Sequence, residues 1–163
     1  MIDGAAAVFV ALEQSDFAST IRQSVWLYPA ANVSHIIFLF LFAAALGVMD
    51  VRLLGGLAAT DPARLLARAR AFAIVALAGM VLSGLMLFSA EAGHLALNPV
   101  FQLKLTLIAA GGVNIALYEF MARPEVQRLA PGIPMPARAR LAGLLSLLIW
   151  IAVAACGRSI AYF

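Results

Sequence analysis

The chain has 163 residues, 64% hydrophobic and only 12% charged, with 11 Lys and Arg against 8 Asp and Glu. An average soluble domain is about half apolar and a quarter charged, so this composition, with a mean hydropathy of +1.00, excludes a disordered chain and argues against a water-soluble globule. One cysteine, Cys156, excludes an internal disulfide framework and carries no redox-compartment signal.

The first 27 residues form a segment of their own. The first charge is Asp3, and the apolar run Ala5 to Leu12 ends at Glu13, so the basic n-region of a signal peptide is missing. From Phe17 the pattern turns amphipathic. Phe17, Ile21, Val25 and Tyr28 share one helical face, with Ser19, Thr20, Arg22 and Gln23 opposite. This predicts a short interfacial helix feeding the first span, with Trp26 and Tyr28 at headgroup level. The alternative is a plain extension of that span.

Four runs are then long and apolar enough to cross a bilayer, for which a helix needs about 20 residues. They are residues 28–49, 71–90, 100–118 and 141–157. Because lipid offers no partner to open backbone groups, such runs must be helices. Pro29 stands in the first turn of the first span, where a missing N–H costs nothing. Asp61-Pro62 and Asn98-Pro99 read as N-caps followed by proline starts, so the second helix is expected to begin near Pro62 and protrude before Ala71. Pro131, Pro134 and Pro136 break the chain before the fourth span. The expected fold is all-α: an integral membrane four-helix bundle, residues 28–163, behind a short amphipathic segment, residues 1–27.

The basic residues set the orientation. Arg52, Arg64, Arg68 and Arg70 follow the first span, and Arg123, Arg128, Arg138 and Arg140 follow the third, whereas the other side holds Arg22 and Arg158. The arginine loops are therefore expected in the cytoplasm and both termini in the periplasm. At about 1.5 Å per residue, His35 lies about 6 Å outward of the centre of the first span, and Met86, Lys104 and Cys156 reach similar outer levels. Glu91 and His94 lie at the outer surface.

An ionisable group within a span usually faces the bundle or water. His35 is either a neutral imidazole bonded to another helix or a haem or metal ligand. Lys104 either snorkels to the headgroups or turns inward toward an anion such as a haem propionate or Glu91. His94 is either solvated or a second ligand. His35 and His94 together would make a bis-histidine haem b site, and with Met86 or Cys156 a soft copper site. Gly79, Gly84, Gly111, Gly112 and Gly143 read as close-contact positions and Asn114 as an interhelical hydrogen bonder. No nucleophile–base pair, P-loop, dinucleotide fingerprint or nucleic-acid surface is evident.

The segments WLYPAANVSH (26–35), GVMDVRLLG (47–55) and NPVFQLKLTLIAAGGVN (98–114) resemble a family of uncharacterised four-helix bacterial inner-membrane proteins. A histidine in the first span and a lysine early in the third is also similar to the copper-resistance D membrane proteins and to the HemJ type of protoporphyrinogen oxidase. In the latter a membrane histidine and lysine form the functional pair and haem b is bound. The resemblance implies a small haem- or copper-related membrane protein, with His35 and Lys104 at the matching positions. Three functions are expected to compete: b-type electron transfer at the periplasmic side, copper handling, and an accessory role within a larger membrane complex or homo-oligomer.

Overall fold

The structure, a computed structural model, describes residues 6–162; the expectation drawn from Asp3 and Ala5 lies outside them. All its regular elements are helical. Two short helices, α1 (Ala6–Glu13) and α2 (Asp16–Gln23), precede α3 (Leu27–Leu53) and α4 (Pro62–Ala90). A short α5 (Ala92–Leu97) links α4 to α6 (Pro99–Leu117), which runs through a π-helical turn (Tyr118–Ala122) into α7 (Arg123–Val126). Last comes α8 (Ala137–Ser159), closed by a 3-10 turn (Ile160–Tyr162). Four helices are long and apolar enough to span a membrane. The 27 residues of α3 correspond to about 40 Å, more than the hydrocarbon thickness of about 30 Å.

The helix starts follow from the capping residues. The Asp61 side chain accepts from the Arg64 amide at 3.1 Å, and Asn98 Oδ1 accepts from Val100 and Phe101 at 2.9 and 3.1 Å. In each case a proline fills the first helical position, where no hydrogen bond is lost. Leu, Ile and Phe project outward from the bundle, among them Phe40, Phe72 and Phe120, whereas Ala45, Ala73, Ala76, Ala139 and Ala142 are buried. That inversion suits lipid, where helices associate through close backbone approach rather than by hiding large apolar groups. α3 packs most extensively on α4, and α8 packs on both α6 and α3. Asn114 Nδ2 donates to the Ala142 carbonyl at 3.0 Å, joining α6 to α8 as its type predicts.

Two helix ends go further than the charge pattern suggests. α3 continues past Met49 and buries Asp50 (3% exposed) and Arg52 (1% exposed). Arg52 Nη2 donates to the Thr60 carbonyl at 3.3 Å, while its Nε is buried without a partner. The third span carries Glu119 onward because two arginines match it: Arg70 of α4 pairs with one oxygen, and Arg123 Nη1 donates to the other at 2.6 Å.

The amphipathic face of residues 17–28 requires correction. The helix stops at Gln23, because the Ser24 hydroxyl accepts from the Trp26 and Leu27 amides and starts α3 afresh. Val25 and Tyr28 therefore do not share a helix with Phe17. Ile21 and Ala18 are buried, and α2 lies on α4, whereas Phe17 is 59% exposed. Arg22, expected on the polar face, donates through Nη1 to the Ala90 carbonyl at 2.7 Å, a cation at the C-terminus of α4. Glu13 Oε2 accepts from the Gly93 amide at 2.7 Å, an anion in the first turn of α5.

Gly143 shows how tightly α8 meets α3. A Cβ there would lie 2.9 Å from Leu53 Cβ and 3.3 Å from the Asp50 carbonyl oxygen, whereas one at Gly112 meets nothing within 4 Å. Gly143→Ala is expected to destabilise the bundle by about 1–3 kcal/mol through overpacking, and Gly112→Ala to hold or raise stability. Thermal unfolding in detergent measures both.

Candidate functional site

At the end of the bundle where α4 gives way to α5, a cleft of about 700 Å³ opens between α3, α4, α5, α6 and the end of α8. His35, His94 and Lys104 all line it, together with Tyr28, Asn32 and Glu91. Its apolar lining includes Leu87, Phe88, Leu95 and Phe101, and the rings of Phe88 and Phe101 stack with centroids 5.3 Å apart.

His35 is half-buried on α3 and reaches across to α4, where Nδ1 lies 3.0 Å from Ser83 Oγ. The Ser83 hydroxyl has one proton, and its shorter bond, 2.7 Å, goes to the Gly79 carbonyl. Toward the imidazole the hydroxyl therefore acts as acceptor. This assigns the ring proton to Nδ1 and leaves the lone pair on Nε2, which has no protein partner among the described residues. Gly84 makes the approach feasible: a Cβ there would lie 3.2 Å from His35 Cε1. The ring thus rests on α4 where the helix has no side chain.

Lys104 is half-buried on the second turn of α6. It lines the cleft beside Gly157 of α8, where a Cβ would stand in ordinary contact with Nζ at 3.6 Å. Among the described residues Lys104 forms no ion pair. Glu91, considered above as its anion, instead accepts from the Tyr28 hydroxyl at 3.2 Å. His94 is exposed on α5. Met86 and Cys156 are half-buried and do not line the cleft. Among the described residues no three His, Cys, Asp or Glu side chains group as a metal site would require.

At the rim, Arg158 Nη2 donates to the Tyr162 hydroxyl at 2.5 Å, and its guanidinium lies 4.8 Å from that ring's centre. Tyr162 faces the cleft from the closing turn, held there as Asn98 Nδ2 donates to the Ile160 carbonyl at 3.5 Å. Sequence reasoning missed Ser83, Tyr28 and Tyr162 as parts of this site. Ser83 carried one signal: it is a hydroxyl at mid-span, four residues beyond a glycine.

Residues 17–163 match a family of unknown function, DUF6644. The chain belongs to that family. The match takes in α2 from Phe17 onward, all four spans and every residue of the cleft named above. No likeness to copper-resistance D or HemJ proteins accompanies it, and neither a curated protein nor a solved structure matches the chain.

The hydroxyl of Ser83 orients the imidazole, so Ser83→Ala should release it. In ¹⁵N spectra of protein labelled at histidine, the wild-type His35 ring is expected as the Nδ1–H tautomer, and the Ser83→Ala ring as a mixture of both. A wild-type ring protonated at Nε2 would refute the assignment.

Proposed function

We propose that the protein is a small multi-pass membrane protein that binds haem b in this cleft and passes electrons at the periplasmic side of a bacterial inner membrane. The observation that carries the reading is the His35 ring, tied at Nδ1 by Ser83 and free at Nε2. An imidazole oriented by a hydrogen bond at one nitrogen is prepared for ligation at the other.

The remaining lining fits the group. About 700 Å³ lies within the range of cofactor pockets, roughly 300–1,000 Å³. Leu87, Phe88, Leu95 and Phe101 are apolar wall for a macrocycle, and the free ammonium of Lys104 suits a propionate. His35 would be the axial ligand and His94 the second. Bound haem would supply one-electron redox chemistry. The chain would contribute ligation, a low-dielectric wall and compensating charge.

Reduced-minus-oxidised spectra of the purified protein test this. A Soret band is expected in the wild type, lost in His35→Ala. Lys104→Gln is expected to lower haem content severalfold, and Arg64→Gln, at an exposed distant position, to leave it unchanged. A wild type without the band, or a His35→Ala protein with the wild-type spectrum, would overturn the proposal. One copper per chain with no haem would favour the copper reading.

The sidedness in this proposal rests on eight arginines against two. On spheroplasts, a tag after Phe163 is expected to be cleaved by external protease. A protected tag would move the His35 cleft to the cytoplasmic side.

A further inference from the structure

The opposite, arginine-rich end of the bundle holds a second cavity, of about 260 Å³, between α3, α4, α6 and α8. Asp50 lines it and is 3% exposed. No cation comes within ion-pairing distance of its carboxyl among the described residues. Arg52, two residues on, is outside the lining and turns to the Thr60 carbonyl. Arg70 lines the cavity but is engaged with Glu119, which also holds Arg123. Glu119 and Tyr118 line it as well, and α8 contributes Ser146, a hydroxyl beside the acid.

A lone carboxylate buried among apolar helices is strongly disfavoured. Asp50 has two ways to avoid that state: it holds a proton, or it meets a cation. The walls decide which cation suits. Apart from the groups named and Asn114, the lining is Phe, Leu, Ile, Met and Ala. With both Glu119 oxygens taken by Arg70 and Arg123, the side-chain oxygens left on Asp50, Ser146, Asn114 and Tyr118 are too few for a hard metal ion, whose shell takes six or more. Asn114 spends its amide N–H on the Ala142 carbonyl, so its oxygen is left to accept. The Asp50 carboxylate, the Ser146 hydroxyl and the Asn114 oxygen are three acceptors, matching the three N–H donors of a primary ammonium. The apolar walls match an alkyl chain.

We propose that this cavity is a binding site for a lipophilic primary ammonium ion, with Asp50 as its counter-ion. In its absence the carboxyl is protonated; on binding, the proton leaves to solvent and the ammonium takes its place.

Titration of the full chain in a non-ionic detergent tests this with n-octylammonium and with n-octanol, its neutral counterpart, micelle partition being subtracted. The wild type is expected to bind the ammonium at least about tenfold more tightly, the scale of a hydrogen bond to a charged group. Asp50→Asn, equal in shape but unable to ionise, is expected to bind both alike. Equal binding by the wild type, or a preference retained in Asp50→Asn, would overturn the proposal. A second measurement needs no variant: dicyclohexylcarbodiimide, which takes the proton of an acid in apolar surroundings on nitrogen and receives the carboxylate oxygen on its central carbon, should modify Asp50 as the O-acylisourea. Octylammonium should block that modification and octanol should not. An Asp50 that stays unmodified, or labelling that octylammonium leaves unchanged, would equally refute the site.

Discussion

The seam between α3 and α4 sets the geometry of both ends of the molecule. Its closeness rests on glycine: the Phe38 ring covers Gly79 so tightly that a Cβ there would lie 2.5 Å from ring atoms. One turn further along α4, the same approach brings His35 to Ser83 and lays its ring on Gly84. Toward the other end, Phe42, Ala45 and Leu46 meet Ala73 and Ala76 in one buried cluster. Beyond it α3, α4, α6 and α8 together line the cavity that holds Asp50. In lipid no large apolar group drives such a seam, so its strength comes from contact itself.

Polar groups divide between the two ends by how they are satisfied. At the Asp50 end, Glu119 bridges Arg70 and Arg123, which lets a charged segment continue as helix. At the His35 end, polar side chains act on helix termini. Glu13 serves the start of α5, Arg22 the end of α4, and Asn98 the start of α6. Lys104 stands apart from this pattern, with no ion pair among the described residues. A buried or half-buried ammonium left open beside an imidazole with a free nitrogen is what gives the cleft its chemical character.

Most of the fold was legible because hydrophobic length and proline punctuation are local signals. Pro62 and Pro99 mark helix starts that the structure reproduces, and the gathering of His35, Lys104 and His94 at one end of the bundle followed from counting residues along antiparallel spans. The misreadings share one cause. Charges were taken to end helices, yet Asp50, Arg52 and Glu119 lie inside them, because their partners or hiding places come from distant segments such as Thr60 and Arg70. The break at Ser24 was hidden likewise: serine reads as polar surface until its hydroxyl is seen capping the next helix. Ser83 was passed over for the same reason, since nothing in its neighbours reveals that it faces His35 rather than its own helix alone.

The contacts of the N-terminal helices have a temporal consequence. The carbonyl that receives Arg22 lies 68 residues further along the chain, and the amide that meets Glu13 lies 80 further. None of these partners exists while α1 and α2 are leaving the ribosome. Both short helices must wait, undocked, until α4 and α5 have been made and inserted. The covering of α4 by α2 and of α5 by α1 is therefore laid down after the seam between α3 and α4.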